Sequence, residues 1–290
     1  MFPTEEIDKL GNKLIVNHSK LDFSPAYSFF LRQQADLVDS GQCAPCTYWE
    51  DANSEILWIE LDGKIIGSSC FTTKLIKNPM FPSIYTHSTF VDVQYRRRGI
   101  QKILFKHFQN IARQYKCRAI SQTIKINNIP RLTGAKADGL NILISIFEKN
   151  IPTKKYLEDN VKIDQDPIGK PIFEYFKKEK IRFKNHLIGL GHSEAIAAAL
   201  TSFDEHTLGL MWVEDQGNIK NIVSFNNTEI KKGVLSIYTA DSYEYVDALA
   251  TYFNCSIAVI KLSIKDFERI KTMKDHGFDH AYFVLYKQIT

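Results

Sequence analysis

Two hydrophobic periods alternate along this chain, and the switches between them outline its elements. Ile56-Leu57-Trp58-Ile59-Glu60-Leu61 and Lys64–Phe71 flank Asp62-Gly63. Apolar runs on both sides of Asp-Gly predict a β-hairpin. A strand over about 85–93 follows, and then Ile100, Ile103, Leu104, Phe108, Ile111 and Tyr115 recur at helical spacing, predicting an amphipathic helix over 100–115. Residues 119–126 read as a strand. Upstream, residues 4–40 read as mostly helical, with Asp22-Phe23-Ser24-Pro25 as cap and first-turn proline before Ala26–Arg32. The order hairpin, strand, helix, strand predicts a mixed α/β domain whose last step is a right-handed crossover.

Residues 150–180 are rich in Lys, Asp and Pro, with a turn at Asp166-Pro167-Ile168-Gly169. Residues 171–176 are expected to close the first domain as a strand, and Lys177-Lys178-Glu179-Lys180 to mark a solvated boundary. The domains are accordingly expected at 1–180 and 181–290. The second repeats the order of the first. It has a helix over 193–200, a hairpin around Gln216-Gly217-Asn218 and a strand over 234–238, then a helix over 243–253, a strand over 257–262, a helix over 266–274 and a strand over 282–286. No residue-level repeat emerges; the similarity is one of element order. Gly189-Leu190-Gly191-His192-Ser193 lacks the third glycine of a dinucleotide turn and reads as the turn opening a helix.

Composition narrows the class. Of 290 residues 44 % are hydrophobic and 24 % charged, the balance of a globular chain. A net charge of +4 does not call for nucleic acid, and Arg96-Arg97-Arg98 has no accompanying stacking motif. No run approaches the ~18–20 apolar residues of a membrane span, and the acidic start Thr4-Glu5-Glu6 is unlike a signal peptide, so a cytoplasmic protein is expected. The five cysteines are scattered. Only Cys43 and Cys46 lie close, in a segment that reads as an irregular connector, and with no second pair at metal spacing no metal is expected.

The stretch with chemical content is Val91-Asp92-Val93-Gln94-Tyr95-Arg96-Arg97-Arg98-Gly99-Ile100-Gln101-Lys102, where a strand ends, a basic turn follows and a helix begins. The first amides of a helix lack intrahelical partners and carry the positive end of its dipole, so they suit phosphate, and Gly99 lets backbone approach closely. A solvated basic helix start is the plainer alternative.

The stretch resembles the acetyl-CoA loop of the GNAT (GCN5-related N-acetyltransferase) superfamily, which commonly runs Val-Asp-Pro-Glu-Tyr-Arg-Gly-Arg-Gly-Ile-Gly-Lys. The signature Arg/Gln-x-x-Gly-x-Gly/Ala falls on Arg96, Gly99 and Gln101, the last departing from the small residue expected. The resemblance covers roughly residues 50–130 and implies a GNAT-like mixed sheet with acetyl-CoA as co-substrate. It implies that Val91 and Val93 offer backbone groups to the pantetheine arm and that Arg96, Arg98, Gly99, Gln101 and Lys102 surround the pyrophosphate. Asn128 matches the asparagine that contacts the cofactor beyond the next strand. Ala135 stands where the family's acidic tyrosine is expected, and Gly134 and Gly139 argue against a regular helix there.

A lysine-like acceptor amine has an unperturbed pKa near ~10.4, so removal of its proton needs a base or a water relay. Period-two alternation puts Tyr85, His87 and Thr89 on one face of their strand. Tyr85 holds the place of a catalytic glutamate in some members, and His87 reads either as a base or as an ordinary half-buried histidine. Residues 266–286 resemble the end of a second GNAT domain, but Thr239-Ala240-Asp241-Ser242-Tyr243-Glu244 has no glycine and is acidic, which implies a degenerate domain without a CoA loop. The expected function is N-acetyl transfer to a small-molecule or protein amine, with a non-catalytic CoA-binding or protein-interaction module as the alternative. Neither nucleic acid nor membrane is expected as a partner, and oligomeric state is open.

Overall fold

Leu14 and Val16 are fully buried while their neighbours are part-exposed, a period of two that suits a strand and not the helix expected over 4–20. Gly11, at φ 86°, turns the chain there. The segment therefore forms β1 (Thr4–Ile7) and β2 (Lys13–Lys20), paired antiparallel from Thr4↔Val16 to Ile7↔Lys13. The computed structural model describes residues 3–21, 24–39, 54–74, 83–151, 155, 157–203, 205–240 and 242–288. The expected cap at Asp22-Phe23, the Cys43–Cys46 pair and Asp241 lie outside the described residues.

The chain divides into two compact units, 1–143 with 283–290, and 144–282. In the first, α1 (Tyr27–Asp39) precedes the hairpin β3 (Ser54–Leu61) and β4 (Lys64–Lys74), whose turn has Asp62 at φ 51° and Gly63 at φ 74°. β5 (Ser83–Val91), α2 (Ile100–Gln114), β6 (Ala119–Lys125) and α3 (Ile129–Ala137) follow. The strand order is β1-β2-β3-β4-β5-β6, with the C-terminal strand beside β6. One face of the sheet packs Leu57, Ile59, Ile66 and Phe71 against Leu104, Phe105 and Phe108 of α2. The other packs Ile56, Trp58, Cys70 and Phe90 against Phe29 and Phe30 of α1. Phe71 and Phe108 meet edge to face at 5.1 Å, and each such buried ring contributes about 1.5–3 kcal/mol.

The second unit holds most of β7 (Asn141–Asn150), then β8 (Val161–Asp164), α4 (Pro171–Gly189), α5 (Glu194–Leu200), β9 (Leu208–Asp215), β10 (Asn218–Asn226), the single turn α6 (Asn227–Ile230), β11 (Val234–Ala240), α7 (Val246–Tyr252), β12 (Ile257–Ser263), α8 (Phe267–Asp275) and the start of β13 (Asp279–Gln288). Its strands run β7-β12-β11-β10-β9-β8. The strand expected over 171–176 is the first part of α4. Pro171 occupies the first turn, and Ile172, Phe173 and Phe176 bury one helical stripe against Leu208, Leu210 and Ile222. A boundary at 180/181 would cut this helix in the middle.

The structure does contain a residue-level repeat. Asn128 and Asp266 cap α3 and α8 by accepting the amides of Arg131 (3.2 Å) and Arg269 (3.4 Å). Gly139 and Gly277 end these helices at φ 83° and 79°, and Lys116 and Asn254 turn ahead of β6 and β12 at φ 53° each. The two members of every one of these pairs are 138 residues apart. Of these four pairs only the arginines and the glycines are identical, a match too sparse to stand out before backbone geometry aligns it. Among the described residues no helix is long and apolar enough to cross a membrane, and no three or more His, Cys, Asp or Glu side chains cluster as metal ligands would.

β1 is tied to α2 by Glu6 Oε1, which accepts from Lys106 Nζ at 2.8 Å and lies 3.0 Å from His107 Nε2. Burial, opposed by Glu6 and aided by the Lys106 charge, lowers the His107 pKa below its usual value of 6.5. Burial alone would raise Glu6, but Lys106 and His107 bring it below its usual range. Both groups bind protons more readily in the unfolded chain, so their stabilisation is complete above about pH 6.5 and is lost as pH falls. Denaturant melts are expected to show stability falling from about pH 6.5 downward, and His107→Gln to remove the upper part of that slope.

Candidate active site

The register of β5 against β4 changes in one place. Cys70 pairs with Ser88 but Phe71 pairs with Thr86, leaving His87 as the extra residue of a bulge. The bulge resets the alternation. Ile84 and Val91 both join the α2-side core although one is even-numbered and the other odd, and Phe90 joins the α1-side core. The expectation that Tyr85, His87 and Thr89 share a face therefore fails. Thr89 turns to the α2 side, its Oγ1 2.7 Å from Ser69 Oγ, while His87 Nε2 lies 3.1 Å from Thr72 Oγ1. Tyr85 Oη donates to Thr123 Oγ1 at 2.8 Å, and its ring meets His87 edge-on at 5.0 Å.

Beyond the bulge the sheet opens. The parallel pairing of β5 and β6 runs from Ser83↔Ala119 to Thr86↔Gln122 and stops, although β5 continues to Val91 and β6 to Lys125. The cleft so formed leads to the basic turn. Asp92 accepts the Gln94 amide and starts a 3-10 turn over Val93–Tyr95. Arg96 Nε donates back to the Val91 carbonyl at 3.1 Å. Arg97 sits at φ 65° and Gly99 at φ 85°, and α2 begins at Ile100. Among the described residues no acceptor lies on the amides of Gly99, Ile100, Gln101 or Lys102.

The β1–β2 turn holds this loop. The Lys9 amide donates to the Arg98 carbonyl at 3.1 Å, and Arg98 stacks on Tyr95 at 4.9 Å with Nη1 4.0 Å from the Asp8 carboxylate. A Cβ on Gly99 would come within 3.3 Å of Lys9 Cγ, a contact to which the lysine stem would have to yield, and the left-handed φ of 85° strains any side chain there. Arg96 and Lys102 are exposed and Val93 is 69 % exposed. The turn thus combines free helix amides, a left-handed glycine and exposed cations, which suits a phosphate anion.

The sequence profile of the acetyltransferase (GNAT) family matches residues 20–132. Residues 20–132 form a GNAT domain. Solved structures extend the likeness in fold to both units. A tandem GNAT protein from the clavulanic acid biosynthesis pathway superposes with TM-score 0.55 at 9 % identity, over 96 % of this chain and 99 % of its own. A GCN5-related N-acetyltransferase from Sphaerobacter thermophilus gives 0.56 at 11 %, over 95 % and 96 %. A glucosamine N-acetyltransferase region in a fungal multi-domain GH3 β-N-acetylglucosaminidase gives 0.55 at 10 %, over 94 % of this chain and 38 % of the other. No curated protein matches the chain. The family match thus covers residues 20–132, whose family carries out acyl transfer, and the likeness of the second unit to GNAT structures is one of fold.

In the GNAT unit the remaining expected residues fall around α3, which is a regular helix despite its glycine at 134. Gln101 explains why. Its side chain leaves the helix end and donates to Asp138 Oδ2 at 3.2 Å, crossing Gly134 so closely that a Cβ there would lie 2.5 Å from Nε2. The large residue at 101 is accommodated by a missing side chain at 134, so the phosphate face of the loop is not narrowed. Asn128 spends its Oδ1 on the Arg131 amide. Ala135 is fully buried, so no hydroxyl stands at the family's acid position.

Sequence reasoning missed Arg131. Its Nη2 donates to Gln122 Oε1 at 2.7 Å and lies 3.4 Å from Thr89 Oγ1, while Nε and Nη1 are sealed from solvent without an acceptor. Burial, opposed by the charge of Asp138, pulls this guanidinium down to about 10, so it remains charged at neutral pH. The matched spacing of Asn128–Arg131–Gly139 with Asp266–Arg269–Gly277 was the one signal in the sequence that could have singled it out.

The GNAT-like second unit keeps the bulge and the opening. Ser224 pairs with Thr239 but Phe225 with Ile237, and β11 pairs with β12 only as far as Ile237↔Ile260. What it lacks is the loop. From Thr86 to Lys116 the chain takes 30 steps, and from Ile237 to Asn254 only 17, the loss falling on the turn and the first turns of the helix. The Gln101–Gly134 contact supplies a test. Gly134→Ala should break the Gln101–Asp138 hydrogen bond and gain little. The double variant Gln101→Ala/Gly134→Ala should recover about 1 kcal/mol of helix propensity, read from denaturant midpoints.

Proposed function

We propose that the GNAT unit transfers an acyl group, acetyl in the simplest case, from acyl-CoA to an amine. The observation that carries the reading is the conjunction, within the family-matched segment, of a strand cleft opened by the His87 bulge with an uncommitted ring of helix amides at its mouth. The residues fit the carrier. The Gly99–Lys102 amides are free to donate to a diphosphate, Lys9 packs close over the left-handed Gly99, and Arg96 and Lys102 add charge at the rim. In this reading the edge of β5 beyond Thr86, ending at Val91, and Val93 in the turn after it line up a pantetheine arm through backbone groups.

When bound, acyl-CoA would supply the activated acyl group; the chain supplies the rest. In this reading His87 Nε2, hydrogen-bonded to Thr72 Oγ1, takes the proton of the acceptor amine, and the Tyr85 ring, whose hydroxyl donates to Thr123, packs edge-on beside it. Backbone amides at the bulge offer fixed dipoles toward the carbonyl being attacked. The second unit has lost the loop and does not bind CoA in this reading.

A second reading, a CoA-binding module without catalysis, is favoured by one observation only, the buried Ala135 in place of the family's acid. Calorimetry with acetyl-CoA tests the site that both readings share. One molecule is expected per chain, and Gly99→Asp, which adds negative charge and a side chain to a left-handed position, should abolish binding while leaving the melting curve cooperative. Unchanged affinity would remove the site. Thiol release over a panel of amines separates the two readings, with His87→Ala expected to lower turnover at least tenfold with little effect on CoA affinity.

A further inference from the structure

Arg131 and Arg269 occupy the same place in the two units, three residues past the cap of the helix that follows the inner strand. Their surroundings differ in one respect. Arg269 is satisfied by the chain, with Nη2 donating to the Ala240 carbonyl at 2.7 Å, Nε donating to Tyr243 Oη at 3.1 Å, and its plane over Phe183 at 4.6 Å. There the end of β11 is plugged by its own arginine. Arg131 uses only Nη2, and its Nε and Nη1 face the interior without a partner. Among the described residues no carboxylate forms an ion pair with it. Asp138 acts on it only through its field and gives Oδ2 to Gln101.

Two unmade hydrogen bonds and an unpaired buried charge are each costly, and α3 could have carried a leucine there at no such cost. The position explains the choice. Gln122 belongs to the last paired step of β5 and β6, and Thr89 lies three residues further along β5, so Arg131 sits at the closed end of the cleft. Val91, Val93 and the amide turn lie at its open end. A thioester arm laid along β5 from the turn directs its acyl tip toward this guanidinium. An acetyl methyl group offers it nothing, whereas a carboxylate supplies both counter-charge and acceptors, the partner that a guanidinium fits best.

We propose that Arg131 is a specificity-determining residue that binds a ligand carboxylate at the closed end of the GNAT cleft. The carboxylate is carried either by a dicarboxylic acyl donor or by an amino-acid acceptor. The inference rests on the cleft being the acyl-CoA site.

Calorimetry on the full chain with CoA, acetyl-CoA and succinyl-CoA tests the donor source. Succinyl-CoA is expected to bind at least about tenfold more tightly than acetyl-CoA, the ratio for a hydrogen bond to a charged group, and Arg131→Met should bring that ratio to about one. If the carboxylate belongs to the acceptor, the donor ratio is near one. Thiol release from acetyl-CoA is then faster with alanine than with ethylamine, and Arg131→Met removes that preference through KM. Neither preference in the wild-type chain, with acetyl-CoA bound, overturns the proposal and leaves the site standing. Binding of none of the three thiols and thioesters removes the site itself. Thermal melts of the ligand-free variants add a readout of structure. Arg131→Met is expected to hold or raise Tm and Arg269→Met to lower it. A fall with Arg131→Met comparable to that of Arg269→Met would show a structural arginine and count against the proposal.

Discussion

One extra residue in a strand governs the rest of this molecule. At His87 two residues of β5 face one of β4, and the strand leaves the register that would have carried its parallel ladder with β6 to the end. Backbone groups past Thr86 are thereby withheld from the sheet. A sheet normally satisfies such groups within itself, and an opening of this kind persists only because cores on both faces hold the strands from outside. Phe71 and Phe108 clamp one face and Phe30 and Phe90 the other. The cleft is thus bought with ladder hydrogen bonds, and it is available for a ligand that brings its own amides and carbonyls.

The second unit separates the features of that arrangement that belong to the fold from those confined to the first unit. The bulge, the diverging strands, the helix cap and the terminal glycine recur, so these belong to the fold. The basic turn does not recur, and the chain is 13 residues shorter across it. The arginine recurs with its donors satisfied. Closing the cleft in one unit needed only a carbonyl and a phenol in reach of the same guanidinium. That economy makes the unpartnered donors of Arg131 informative.

The loop itself depends on elements far away in sequence. Its glycine is covered by Lys9, its Arg98 is held by Tyr95 and Asp8, and burial of Asp8 is offset by hydrogen bonds from Asn12 and the Leu10 amide that keep its carboxyl below the usual range. A short strand and turn ahead of the family-matched segment therefore hold the turn proposed to bind phosphate. Without that clamp the free amides of Gly99–Lys102 would pay more conformational entropy on gripping an anion.

Local chemistry was enough to determine the Asp62-Gly63 and Gln216-Gly217 hairpins, α2 and the basic turn ending at Gly99. In each of these the determining residues are neighbours, a positive-φ pair or an apolar stripe, and the family resemblance rested on the same neighbours. Residues 4–20 and 171–176 went the other way because their apolar content does not by itself choose a period; pairing with β3 and packing against β9 and β10 chose it. Gly134 has the propensity of a helix breaker, and its place in α3 follows from Gln101, in the first turn of α2, whose side chain lies across it. Which face Thr89 presents, where the ladder stops, and what Arg131 and Arg269 touch were decided only by tertiary structure. All of these depend on a register shift between strands and on residues brought together across long stretches of chain, and no window of sequence contains such contacts.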